Sequence, residues 1–146
     1  MKKITQCICL LLAFSMLLST NVFAAEYSTP RASNFFWNSS VYLYRASSSS
    51  TTFEAWFEVA CLGTMEEVGA STIKIQRSSD GVNWTTIKTY TKEAYSNLID
   101  TNTGTHAACV SYTGTSGYYY RACIVLYAKN SSGIGEMTEY TSSIRL

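Results

Sequence analysis

His106 is the only histidine in the 146-residue chain, so a hydrolase built on a nucleophile and a neighbouring base must use it. Two arrangements offer themselves. Asp100 and one of the many serines would complete a Ser-His-Asp set, and Cys109, three residues on, would make a Cys-His dyad. Odd spacing along a strand puts His106 and Cys109 on opposite faces, which argues against the dyad, and a solitary surface histidine at a loop edge is the simpler reading of the triad. A glycosidase needs two facing carboxylates at a defined separation. Glu54 and Glu58 share a strand face but lie about 13 Å apart at a rise of roughly 3.3 Å per residue, too far for either usual geometry. Glu66 and Glu67 are neighbours on an expected loop. Asp80, Asn83, Asp100 and Asn102 lack the ligand spacing of a calcium loop, and turn chemistry accounts for them. The expectation is a non-catalytic chain with no metal site and no cofactor.

Aromatic residues invite a different idea. Eleven tyrosines and three tryptophans exceed what one small core needs. In the segment Tyr118 to Lys129, Tyr118, Tyr120, Ala122, Ile124, Leu126 and Ala128 share one strand face, while Tyr119, Arg121, Cys123, Val125 and Tyr127 share the other. If the first face is core, Tyr119, Arg121 and Tyr127 point outward. They would then form a platform able to stack on a sugar ring or dock an extracellular protein, because aromatic faces offer large contact area at low entropic cost. Tyrosine also suits exposed β-surface in its own right. Trp84, beside the Asp80-Gly81 turn, is expected to cap the core.

The elements that must position these residues read as strands. Phe53, Ala55, Phe57, Val59 and Cys61 alternate with Glu54 and Glu58, one face apolar and one polar. Gly63 to Gly69 is expected to cross over as a loop, with Met65 and Val68 plugging the end of the core. Further strands are expected at Val41–Tyr44, Thr72–Arg77, Trp84–Tyr90, Ala107–Tyr112, Tyr118–Lys129 and Met137–Ile144. Asp80-Gly81 supplies a reversing turn, Ser47 to Thr52 a loop, and 91–105 a longer irregular connection. About seven short strands at regular spacing predict an all-β, two-sheet sandwich.

At the start of the chain, Lys2 and Lys3 precede an apolar run from Ile8 to Leu18, and Val22-Phe23-Ala24-Ala25 offers small residues to a signal peptidase. The apolar run is too short to span a bilayer. The expected organisation is a signal peptide at 1–25, an extended arm at 26–40 and a sandwich domain at 41–146, secreted from the cell and free of the membrane after cleavage. The remaining 121 residues are enough for one domain. They carry nine basic and ten acidic side chains, a balance that lacks the footprint of a nucleic-acid binder. Cys61, Cys109 and Cys123 would then meet an oxidising compartment. One pair plus one free thiol is expected, with all three pairings open and three unpaired thiols as the alternative. A Cys61–Cys109 bridge would contribute on the order of 3 to 4 kcal/mol by chain entropy.

The run Ala128-Lys129-Asn130-Ser131-Ser132-Gly133-Ile134-Gly135 is similar to the end of the sixth strand of a fibronectin type III domain and its turn. A larger block runs from Arg31-Ala32-Ser33 through Gly63-Thr64-Met65, Val68-Gly69-Ala70, Ile73-Lys74-Ile75, Ser79-Asp80-Gly81, Trp84 and Tyr119-Tyr120-Arg121-Ala122. It resembles a family of small secreted proteins of Gram-positive bacteria whose domain has no assigned function. The resemblance covers roughly residues 31 to 146 and implies export and a compact immunoglobulin-like sandwich, with no catalytic residues to carry over. The chain departs from fibronectin type III in that no Trp takes the usual core place in the second strand, and its cysteines do not fit an immunoglobulin Cys-Trp-Cys frame.

Overall fold

The structure, a computed structural model, describes residues 34–146; the expected signal peptide and residues 26–33 of the expected arm lie outside them, and residues 36–40 of that arm are strand, where an extended arm was expected. The described chain is all-β apart from a single 3₁₀ turn at Ser96–Leu98. Its strands are β1 (Phe36–Tyr44), β2 (Thr52–Ser78), β3 (Thr85–Thr91), β4 (Ile99–Thr113), β5 (Tyr119–Asn130), β6 (Gly133–Tyr140) and β7 (Ile144–Arg145). All seven belong to one antiparallel sheet, curled like a half-barrel, rather than to two separate sheets.

The reason lies in β2. Its 27 residues absorb both strands expected at Phe53–Cys61 and Thr72–Arg77 together with the crossover expected between them. Residues 52–60 pair with β1 on one side and β4 on the other. Residues 72–77 pair instead with β5 and β3, and residues 67–69 pair with β4 and β5 at once. Met65 and Val68 are buried as expected, but as strand residues. β4 likewise begins at Ile99, so the second part of the expected irregular connection, residues 99–105, is strand.

A strand this long stays half-buried along its length only if its inward parity is reset. Phe53, Ala55, Phe57 and Val59 point inward on odd numbers; Val68 and Ala70 do so on even ones, and Ile73 and Ile75 on odd ones again. Met65, still inward on an odd number, puts the first reset between it and Val68; a register shift between Ala70 and Thr72 accompanies the second, a further shift lies between Ala60 and Met65, and such bulges also sharpen the local bend. Gly69 sits between them with φ +152°. A Cβ there would stand 2.0 Å from the Leu98 carbonyl oxygen, so only glycine lets β2 and the start of β4 approach this closely.

Both halves of β2 feed one core. Phe53 and Phe57 from the first half join Ile73 and Ile75 from the second and Tyr120, Ile124 and Leu126 from β5. The Phe53 ring lies 5.4 Å from Tyr120 and 5.7 Å from Tyr112, in the tilted arrangement aromatic rings favour. Tyr120 is buried, yet its hydroxyl accepts from the Thr115 amide at 2.7 Å and donates to the Thr115 carbonyl at 3.2 Å. The inward face expected for the Tyr118–Lys129 segment is therefore the one observed. Beyond the strands, Tyr90 donates to the Ser111 carbonyl at 2.8 Å, tying β3 to β4, and Ser39 donates to the Glu139 carboxylate, joining β1 to β6.

After β2 the chain reverses at Asp80-Gly81. The Asp80 carboxylate accepts from the Asn83 amide (2.8 Å), the Ser78 hydroxyl (2.7 Å), the Asn83 side chain (2.7 Å) and the Val82 amide (2.9 Å). These donors, the Asn83 amide foremost, hold its pKa well below the usual carboxylate range.

Gly69→Ala is expected to lower stability by about 4 kcal/mol or more, because backbone must separate. Gly117→Ala has a positive φ but no atoms near the new Cβ, and should lose only about 1 to 2 kcal/mol. Equal losses in chemical denaturation would show that close approach at Gly69 contributes nothing. For Asp80, the folded carboxyl ionises at lower pH than the unfolded one. Its stabilisation is complete above about pH 4 and is lost as pH falls toward the depressed folded value. Asp80→Ala should therefore lower the melting temperature at neutral pH, with a difference from the parent that shrinks on acidification below that point.

Candidate functional site

Alternation along the first half of β2 sends Glu54, Trp56, Glu58 and Ala60 to the outer face of the sheet, because Phe53, Phe57 and Val59 take the core. Register then decides their neighbours. Trp56 stands between Tyr42 of β1 and Cys109 of β4, Glu54 between Tyr44 and Ser111, Glu58 between Ser40 and Ala107, and Ala60 between Asn38 and Thr105. An aromatic row thus borders two rows of mostly small side chains. Beside it lies a depression of about 360 Å³, lined by Asn38, Ser39, Ser40, Glu58, Val59, Ala60, Thr105, His106 and Ala107.

The Tyr42 and Trp56 rings are parallel to within 2°, with centroids 6.2 Å apart. Their polar ends are held by carboxylates. Trp56 donates its indole N–H to Glu54 at 2.8 Å, and Tyr42 donates its hydroxyl to Glu58 at 3.4 Å. Partial loss of water, then the Glu58 charge, raises the Tyr42 pKa above the ordinary phenol value. Tyr44 adds a further exposed ring on β1. At the β1 bulge between Phe36 and Asn38, Phe36 turns into the core while Trp37 is left 77% exposed.

The platform expected on β5 is built differently. Tyr119, Arg121 and Tyr127 do share the face opposite the core, but they do not present open rings. Tyr127 is only 6% exposed and lies beneath the Lys92 ammonium, 3.7 Å from the ring centroid. Arg145 covers Tyr119 at 5.4 Å. The Arg121 guanidinium is stacked between Trp84 (4.4 Å) and Tyr140 (4.8 Å), and its Nε donates to Gln76 at 2.7 Å. Trp84 therefore caps this arginine on the outer face rather than the core.

His106 projects toward the core side. Its ring packs edge-on against Phe57 at 5.6 Å, and Nε2 is within 2.9 Å of the Asn97 carbonyl. Asp100 lies 3.9 Å from Nδ1, so two members of the imagined triad do meet. The ring's other nitrogen is engaged by main chain rather than by a serine. Cys109, on the outer face opposite Trp56, points away from His106, as the odd spacing predicts.

Among the described residues, Cys61, Cys109 and Cys123 are free thiols, so the Cys61–Cys109 bridge is not formed. Register explains this: Cys109 pairs with Trp56, five positions along β2 from Cys61. That is about 16 Å of strand, against a limit of roughly 7 Å between bridged Cα atoms. Burial pushes the thiols of Cys61 and Cys109 up from their usual pKa, and Cys123 is buried on β5 opposite Tyr140.

One signal for this face was present in the sequence. Trp56 occupies the polar side of an amphipathic strand, between two glutamates, where a core tryptophan would not be. Its pairing with Tyr42 depends on the β1–β2 register and has no local trace. No family model, curated protein or solved structure matches the chain.

Labelling of the unreduced, denatured protein with iodoacetamide should mark Cys61, Cys109 and Cys123 as thiols in peptide mass spectra. A disulfide-linked peptide containing any two of them would contradict the observed register.

Proposed function

We propose that this chain is an exported, non-catalytic β-module that binds a glycan, such as a cell-wall polysaccharide, on the outer face of β1, β2 and β4. The observation that carries the reading is the Tyr42–Trp56 pair. Two parallel rings, Tyr42 exposed and Trp56 half-buried, fixed by hydrogen bonds at their polar ends beside a shallow depression, suit stacking against a sugar. Export rests on the composition of residues 1–25. The non-catalytic reading rests on His106, whose ring is committed to Phe57 and the Asn97 carbonyl. We read the two halves of the curled sheet as the layers of an immunoglobulin-like sandwich joined through β2, a reading supported by the contact of Phe53 with Tyr120 across the core.

Pull-down with insoluble cell-wall polysaccharide is the direct test. The parent protein should bind saturably, Trp56→Ala should weaken binding at least about tenfold, equivalent to about 1.4 kcal/mol, and Tyr119→Ala should leave it unchanged. Loss with Tyr119→Ala but not with Trp56→Ala would move the site to β5. Absence of binding by the parent would reject the glycan reading.

A further inference from the structure

The near-neutral composition conceals a sharp division of charge. No Lys or Arg occurs in β1, in residues 52–61 of β2 or in β4, whereas Glu54, Glu58 and Asp100 do. Among the described residues, the lysines and arginines other than Arg45, which directly follows β1 and donates to the Arg145 carbonyl at 3.2 Å, lie on the other half of the sheet and its loops, and most of them have a common use. Arg77, Lys88, Lys92, Arg121 and Arg145 each lie over an aromatic ring, and together they cover Tyr118, Tyr90, Tyr127, Trp84, Tyr140 and Tyr119. On that half, these aromatic faces are covered by the protein's own cations.

The Tyr42–Trp56 pair has the opposite arrangement. No cation of the described residues covers either ring, and neither Glu54 nor Glu58 has an ion-pair partner among them. Both carboxylates accept hydrogen bonds from the two rings. Such bonds draw negative charge toward the ring systems, which strengthens the attraction of their faces for a cation. Glu58 also lines the depression, which neither ring does, and through its hydrogen bond from Tyr42 places one carboxylate between the depression and the ring pair. The depression is at the small end of ligand sites, suited to one sugar ring rather than to a folded partner.

From this charge complementarity we infer that the sugar this face takes carries a free, protonated amine: an amino sugar lacking its N-acetyl group. The ring stacks on Trp56 and Tyr42 while its ammonium meets Glu58, with Glu54 holding the indole in place. The inference rests on the glycan reading above and narrows it to a cationic class.

Calorimetric titration of the purified protein with a glucosamine tetramer and with its N-acetylated counterpart separates the two claims, since the ligands differ at the nitrogen. The expected result is at least about tenfold tighter binding of the free amine, with both ligands weakened by Trp56→Ala. Glu58→Gln should remove the preference while leaving residual binding. Equal affinities, or tighter binding of the acetylated tetramer, would overturn the cationic inference and leave the glycan reading standing. Binding of neither tetramer would overturn the inference and count against the glycan reading. Equal competition by tetralysine would show an undiscriminating anionic patch and overturn the choice of an amino sugar. Because Glu58 is on the surface and outside the core, circular dichroism of Glu58→Gln should match the parent, so a lost preference reports on recognition.

Discussion

β2 is the constraint on which the rest of the molecule depends. It hydrogen-bonds to four of the other six strands, and between its first and second halves its partners change from β1 and β4 to β5 and β3. A straight strand of 27 residues would be far longer than a domain of this size can bury on one face. The glycine and the register shifts around residues 60–72 bend it, and the bend lets Phe53 and Phe57 share a core with Ile73, Ile75 and Tyr120. Hydrogen bonding stays continuous while the apolar faces come together.

The same strand makes the outer face rigid. Trp56 and the two glutamates lie near the start of β2, where it is paired along both edges, so the backbone beneath them has little freedom. Their side chains are ordered again by hydrogen bonds, indole to Glu54 and phenol to Glu58. A surface prepared in this way loses less conformational entropy when a ligand arrives than the same residues would on a loop. The bare aromatic face thus lies on the strand that is also the spine of the fold.

Aromatic residues in this protein have three distinct uses. Phe53, Phe57 and Tyr120 fill the core. Tyr119, Tyr127, Trp84 and Tyr140 form a cladding on the β5 side, each under or beside an internal cation. Tyr42 and Trp56 remain as rings with carboxylates at their edges and no internal cation over them. The division follows the segregation of charge between the halves of the sheet, which a net charge near zero does not reveal.

Local alternation was enough to make the chain all-β, to place Phe53, Phe57, Ile73, Ile75 and Tyr120 in the core, and to separate the two faces of β5, because side-chain direction in a strand depends only on parity. The apolar character of Met65 and Val68 was enough to put them inside, and the turn chemistry of Asp80-Gly81 enough to reverse the chain there. What joined two expected strands into β2, and two expected sheets into one, was pairing: residues 61–71 are glycine-interrupted and out of parity, which reads locally as a loop until β4 and β5 satisfy their backbone groups. Pairing also decided that Cys61 and Cys109 stand apart, that Lys92 and Arg145 cover Tyr127 and Tyr119, and that Tyr42 meets Trp56. These are contacts between residues distant in the chain, set by register and by the bend at Gly69, and neither quantity is encoded in the spacing of residues along a single strand.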